Sequence, residues 1–252
     1  MIKKIGIIIE ARSNSRRLPN KHFLKINKKK IIDILIERLK KVKRANYIIL
    51  ATTKNKEDDK FEIIAKKNKI LFFRGSEKNV FNRVLRAGEF YKLDILCRVT
   101  GDCPLIDPAL VDNLIKKFKK YKKAEYANNF PCLPNGMGCE IFYLECLKRA
   151  NKMKMNNHDK EHVTLFIRRN SKKFNNYIFE EAKENFFSKL NITLDEKEDY
   201  TLIKKVYLNL YKKNLFFKCH DIIKLVKKNL NLLQINHKIK RKDNFLEKLY
   251  RI

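Results

Sequence analysis

The sequence predicts an α/β fold with three layers, a mostly parallel central sheet covered by helices on both faces. Three observations predict it. Apolar runs alternate with helix-period segments four times between residues 4 and 120. Each run is short, apolar and uninterrupted, as strands buried on both faces are. The polar loops at 10–21 and 100–107 each leave the carboxyl end of such a run. Open parallel sheets bind ligands there, so the two loops should face each other across a shared cleft.

In chain order, residues 4–9 (K-I-G-I-I-I) read as the first strand. Residues 30–42 have apolar residues at Ile31, Ile32, Ile34, Leu35, Ile36, Leu39 and Val42, which suits a helix. Strand 47–53, helix 57–68, strand 70–74, helix 77–91 and strand 94–100 follow. Pro108 suits the first turn of a helix over 108–120. Beyond residue 124 the pattern changes to short strands near 126–129 and 138–143, helices over 144–154 and 160–170, a late strand at 189–194 and a helix over 200–212. The expected division is a main domain over 1–211 and a helical extension over 212–252, carrying the basic run K-I-K-R-K-D at 238–243.

No apolar run reaches the roughly 18 residues of a membrane span. Residues 1–10 lack the cleavage site of a signal peptide, so the expected location is the cytoplasm. The six cysteines form no C-x-x-C pair, which favours reduced thiols used for packing over zinc or disulfides. The net charge of +31 would suit nucleic acid. However, lysine supplies 45 of the 59 basic residues and is spread along the whole chain beside abundant Asn and Ile. That pattern reads as the compositional drift of an AT-rich genome and argues against a nucleic-acid partner. The field should still attract anionic nucleotides and sugar acids.

Loop 10–21 (E-A-R-S-N-S-R-R-L-P-N-K) carries Arg12, Arg16, Arg17 and Lys21 with two serines between them. Such a loop can supply the charges and N–H donors a triphosphate needs, although it has no Walker glycine pattern. A solvated surface loop is the alternative. In 98–108 (R-V-T-G-D-C-P-L-I-D-P), Gly101 permits a tight turn and Asp102 follows at a strand end. A carboxylate there can hold Mg²⁺ or cap the next turn.

These loops, with A-T-T at 51–53, F-R-G-S-E at 73–77, E-H-V-T at 161–164 and L-N-I-T-L-D-E-K-E-D at 190–199, come in an order that resembles one known family. It is the cytidylyltransferases of the spore-coat polysaccharide biosynthesis protein F type, related to the acylneuraminate and 3-deoxy-manno-octulosonate cytidylyltransferases. The resemblance covers about residues 4–211 and implies a nucleotide-diphospho-sugar transferase fold. The implied reaction is CTP plus an acidic sugar giving CMP-sugar and pyrophosphate, for surface polysaccharide. Carried over, Ala11, Arg12, Ser13, Arg17 and Lys21 would bind the triphosphate, and Arg74, Ser76 and Glu77 would lie near the nucleotide. Asp102 and Asp195 would hold Mg²⁺, and Arg12, Lys21 and Asp102 would carry catalysis. Glu140, Glu161 and His162 would line the sugar pocket, although His162 could equally be a satisfied helix histidine. Relatives of this kind are commonly dimers, so a homodimer is left open.

Three positions depart from the family pattern. Glu10 replaces the usual Gln, and a carboxylate beside phosphates needs a metal or an arginine. Asn20 replaces the Gly of L-P-G-K, a mild change because Asn tolerates the left-handed conformation. N-G-M-G-C-E at 135–140 places Gly138 where a carboxylate is expected, which puts the sugar's identity in question. The alternatives are a nucleotidyltransferase acting on another triphosphate and a sugar 1-phosphate, and a non-catalytic basic relative.

Overall fold

The computed structural model describes residues 3–181, 187, 189–212 and 214–241. The first strand, β1 (Ile5–Glu10), is buried along almost its whole length. A small hairpin follows, β2 (Lys25–Ile26) and β3 (Lys29–Lys30), turning through Asn27 and Lys28 at φ 47 and 66. Then come α1 (Ile31–Leu39), β4 (Tyr47–Thr53), α2 (Asp59–Lys67), β5 (Leu71–Gly75), α3 (Val80–Phe90) and β6 (Ile95–Thr100). Asp107 caps α4 (Pro108–Lys120) by accepting the N–H of Ala109 at 2.8 Å, and Pro108 sits in its first turn as expected. The second half contains β7 (Tyr126–Asn128), β8 (Glu140–Tyr143), α5 (Leu144–Asn151), α6 (Asn157–Glu161), α7 (Leu165–Arg169), β9 (Asn176–Ile178), α8 (Lys197–Tyr211), α9 (Cys219–Lys228) and α10 (Asn231–Gln234).

The main sheet runs β5-β4-β1-β6-β8-β7-β9. Strands β5, β4, β1 and β6 are mutually parallel, and β8 runs antiparallel to both β6 and β7. The chain moves outward from β1 to β4 and β5, then returns to place β6 on the other side of β1. Strand order therefore reverses between β1 and β6, with Glu10 paired in register with Thr100. A crevice opens at such a switch point, beyond the carboxyl ends of the strands.

The strand period of two explains the layers. Ile5, Ile7 and Ile9 enter one core with residues of α1, α2 and α4, while Ile8 enters another with residues of α3, α5 and α7. Each fully buried isoleucine contributes about 1.5–3 kcal/mol relative to exposure. A third core joins α8, α9 and α10 to Ile26, Ile31, Ile34, Leu105 and Leu110. The C-terminal helices thus pack on the first loops of the chain. Among the described residues, no helix is long and apolar enough to cross a membrane.

Two expectations from sequence are corrected. The helix over 160–170 is two short helices, α6 and α7, broken where Val163 takes φ 50 and the N–H of Thr164 turns back to the carbonyl of His162 at 2.6 Å. The segment 189–194 is not a ladder strand, and a single bridge joins Asn191 to Asn135. Its amides are used locally, Ile192 donating to the Asn135 carbonyl at 2.9 Å and Leu194 to the Asp102 carbonyl at 2.8 Å. Those two bonds bring Asp195 alongside Asp102.

Candidate active site

The loop after β1 is held from beneath. Asp58 accepts the Ser13 N–H at 2.7 Å and the Thr53 hydroxyl at 2.5 Å. Burial disfavours its charge, but these donors win and lower its pKa. The Ser13 carbonyl in turn takes the amides of Ser15 and Asn20. Asn20 has φ 57, the left-handed conformation expected of it, and delivers the chain into the turn that carries Lys21.

The second loop approaches from β6. The Gly101 N–H donates to the Glu10 carbonyl at 2.8 Å. A Cβ at Gly101 would lie 2.7 Å from that oxygen and 2.9 Å from the His22 ring, so the approach of the two loops requires glycine. His22 is buried with Nδ1 3.2 Å from the Gly101 carbonyl. A carbonyl only accepts, which assigns the proton to Nδ1. Burial, followed by the charge of Lys21, pushes His22 down to about 4, so it is neutral at physiological pH.

Lys21 is the meeting point. Its Nζ donates to the Leu194 carbonyl at 2.7 Å, to Asp195 Oδ1 at 3.0 Å and to Asp102 Oδ2 at 3.3 Å. Burial works against the ammonium, yet the two carboxylates outweigh it and raise its pKa. Burial likewise opposes the charge on Asp102, but Lys21, the Thr100 hydroxyl and His22 bring its carboxyl down to about 2. Arg17 completes the group with Nη2 3.3 Å from Asp195 and Nη1 3.3 Å from Glu196.

These residues line a cleft of about 790 Å³ at the switch point. Its lining includes Ala11, Arg12, Arg16, Arg17 and Lys21 from the first loop, Asp102 and Asp195, and Glu77, Lys78 and Arg83 together with Asn157, Glu161 and His162. Eight of the twelve residues expected at the site, Glu77 counted apart, thus share one cleft. The other four are engaged elsewhere. Ser13 braces the loop. Arg74 ties the Thr53 and Asn55 carbonyls to Asp59. Ser76 Oγ accepts the Asn79 N–H at 3.0 Å. Glu140 is buried and takes hydrogen bonds from Arg98, Tyr126 and Thr164.

The departures at Glu10 and Gly138 have physical explanations. Arg98 grips Glu10 through two bonds of 2.7 and 3.0 Å, so this carboxylate is neutralised beside the cleft. A Cβ at Gly138 would meet the Phe130 ring at 2.3 Å, so that position has no room for a carboxylate side chain.

Sequence reasoning missed Arg83 and His22. Arg83 is 2% exposed on the buried stripe of α3 beside Val80 and Val84. It donates to the Ser76 carbonyl at 2.6 Å, and its Nε has no hydrogen-bond partner among the described residues. A charged residue on an apolar helix face was the available signal.

A family model described as cytidylyltransferase matches residues 6–248. The chain belongs to the cytidylyltransferase family. Within it, the spore coat polysaccharide biosynthesis protein SpsF of Bacillus subtilis (strain 168) is 33% identical over 210 residues, covering 81% of this chain and 86% of that protein. A cytidylyltransferase from Leptospira borgpetersenii serovar Hardjo-bovis superposes with a TM-score of 0.88 at 34% identity, covering 95% of this chain and 100% of the other. A structure of CMP:2-keto-3-deoxy-manno-octonic acid synthetase complexed with CTP superposes with a TM-score of 0.64 at 16% identity, covering 82% and 99%. The last likeness is one of fold alone. The cytidylyltransferase chain therefore has the nucleotide-diphospho-sugar transferase fold, and the family makes it a nucleotidyltransferase.

Proposed function

We propose that the chain transfers the cytidylyl group of CTP to an acidic sugar, releasing pyrophosphate, in the cytoplasm and with Mg²⁺. One observation carries the reading. Asp102 and Asp195, 93 positions apart in sequence, converge on the same Lys21 ammonium in the switch-point cleft. Arg12 and Arg16 stand beside them with no carboxylate partner among the described residues. The donor set suits the metal, since Mg²⁺ takes one or two carboxylates together with phosphate oxygens and water. When held by Asp102 and Asp195, Mg²⁺ would polarise the α-phosphate and ease deprotonation of the sugar hydroxyl.

The protein's own part is placement and charge. Lys21, Arg12 and Arg17 neutralise the triphosphate and the departing pyrophosphate, on a loop that Asp58 braces at Ser13. Lys78 and Arg83 in the lining can pair with the carboxylate of an acidic sugar, while Glu161 and His162 can bond its hydroxyls. The match to the cytidylyltransferase family model supports the choice of base, and the Bacillus relative supports a role in polysaccharide synthesis.

Pyrophosphate release should be measured with each of the four nucleoside triphosphates across a panel of acidic sugars and sugar 1-phosphates. CTP with an acidic sugar is the expected pair. Turnover only with UTP or dTTP would remove the cytidylyl assignment. No release with any triphosphate, together with steeply salt-dependent DNA or RNA binding, would instead favour a non-catalytic basic protein. Asp102→Asn should lower turnover at least about 100-fold in a chain that still folds, because its carboxylate serves the site rather than the core. Full activity in that variant would reject the assignment.

A further inference from the structure

The residues after α10 are tied to the candidate site through one buried carboxylate. Asp199, in the first turn of α8, is 0% exposed. Its Oδ2 accepts the backbone N–H of Asp195 at 3.0 Å and of Glu196 at 2.9 Å. From the other side, Arg241 reaches Oδ1 at 2.6 Å and Oδ2 at 2.9 Å, and Asn236 Nδ2 reaches Oδ1 at 2.7 Å. Asn236 also donates to the Asn191 carbonyl at 3.0 Å. The C-terminal segment thus grips residues 191–196 at both ends, and Asp195 hangs from the gripped backbone.

We propose that Asn236 and Arg241 are positioning residues, which fix the Asp195 carboxylate against Asp102 by locking Asp199 onto the amides of Asp195 and Glu196. The inference rests on reading Asp195 as a metal-binding carboxylate of the proposed cytidylyl transfer. A buried carboxylate needs a charge partner to stay ionised and fixed in one orientation. Arg241 supplies it in a two-bond, planar geometry that a point charge reproduces only in part. With the arginine gone, Asp199 can turn away, its two backbone donors are released, and Asp195 is held only by Lys21 and Arg17. Groups that orient metal ligands from behind typically govern metal affinity about 10–100-fold. The basic C-terminal segment would therefore be part of the machinery that aligns the site.

The test uses the full chain as wild type, Arg241→Ala, Arg241→Lys, Asn236→Ala and, as a control for simple loss of stability, Val226→Ala in the core beneath α9. Two readouts precede any turnover. One is the Mn²⁺ dissociation constant by electron paramagnetic resonance in the presence of CTP without sugar. The other is amide hydrogen exchange over residues 191–199. Arg241→Ala should weaken Mn²⁺ about 10-fold or more and speed exchange at Asp195 and Glu196, with Asn236→Ala following in the same direction. Arg241→Lys should restore part of both. Val226→Ala should lower the melting temperature while leaving Mn²⁺ affinity unchanged.

Wild-type exchange in both Arg241→Ala and Asn236→Ala would overturn the proposal, as would equal Mn²⁺ weakening in Val226→Ala. If wild type binds no Mn²⁺ with CTP, the cytidylyl reading fails, and the claim that the clamp serves a metal-binding Asp195 falls with it. If wild type binds Mn²⁺ but the clamp variants match it, the clamp alone fails.

Discussion

Glu10, Arg98 and Glu140 form a line of alternating charge across three adjacent strands, β1, β6 and β8. Arg98 is the shared partner. Burial opposes its charge, but the two carboxylates overcome that and raise its pKa far above the ordinary range. Glu140 is desolvated too, yet Arg98 first, then Arg168 and the hydroxyls of Thr164 and Tyr126, lower its pKa. A depressed carboxylate contributes stability that is present above its unfolded value, ordinarily 4.5, and is lost as pH falls through the folded value. Acidification below about 4.5 should therefore cost wild type more than Glu140→Gln. Urea midpoints of both proteins, compared at pH 7 and at successive steps below pH 4.5, check this, and the difference between them cancels the general repulsion of a +31 chain. Parallel acid slopes would contradict the role given to Glu140. At pH 7 the variant should be less stable by about 1–3 kcal/mol, because Arg98 and Arg168 lose a charged acceptor.

Helix α1 is joined to the segment before α9 by one fully buried cation. Arg38 donates from Nε to the Ile106 carbonyl at 2.8 Å and from Nη2 to the Phe217 carbonyl at 2.5 Å, and its guanidinium lies 4.4 Å from the Phe217 ring centre. Ile106 leads into Asp107, whose carboxylate caps α4 and accepts the Cys219 N–H at 2.8 Å. The loop that begins at Asp102 is thus linked to the C-terminal helices through Arg38. Arg38→Ala should destabilise the protein by about 3–5 kcal/mol, since it empties a packed site and strands two carbonyls. Chemical denaturation measures this, and a loss below about 1 kcal/mol would mean that the apolar core docks α9 unaided. Such a latch was not legible in the sequence, because it joins residues 38 and 217 through backbone carbonyls that carry no residue code. What was legible were the elements whose periodicity reflects burial. The β1, β4 and β6 runs and the helices between them read correctly because both faces of those strands meet apolar layers. The break at Val163 was hidden because a β-branched residue at φ 50 contradicts local propensity. Segment 189–194 has the composition of a strand, but its amides turn to the loops at Asn135 and Asp102 instead of joining a sheet edge. Motif order brought together residues at strand ends that do line one cleft, whereas Arg74, Ser76 and Glu140, with the same motif signature, lie outside its lining and bond to neighbouring groups.

The cleft at the scale of the whole molecule is assembled from five separated stretches, residues 10–22, 77–83, 100–102, 157–162 and Asp195. Between them the stretches rest on three separate cores. The first lies over the core that contains Ile7 and Phe61, the second and fourth over the core that contains Phe81 and Phe166, and Asp195 over the C-terminal core of Leu194 and Ile222. A ligand that bridges them stabilises all three cores together, so its binding should appear as a shift of the global unfolding transition. The net charge sets a background, because any polyanion is drawn to a +31 surface, but nonspecific attraction weakens as salt screens it over about 8 Å at physiological ionic strength. At that ionic strength, CTP with Mg²⁺ at 100 times its dissociation constant should add about 2.7 kcal/mol. For a chain of this size that raises the melting temperature by about 5–10 °C. GTP should give a smaller shift, and inorganic triphosphate, which meets the phosphate side of the cleft but carries no base, should give less than CTP. Scanning fluorimetry with the three ligands and a salt series separates the cases. Equal shifts from all three that vanish together with added salt would assign the cleft's attraction to net charge alone, whereas a CTP shift that survives salt requires the converging Lys21, Asp102 and Asp195.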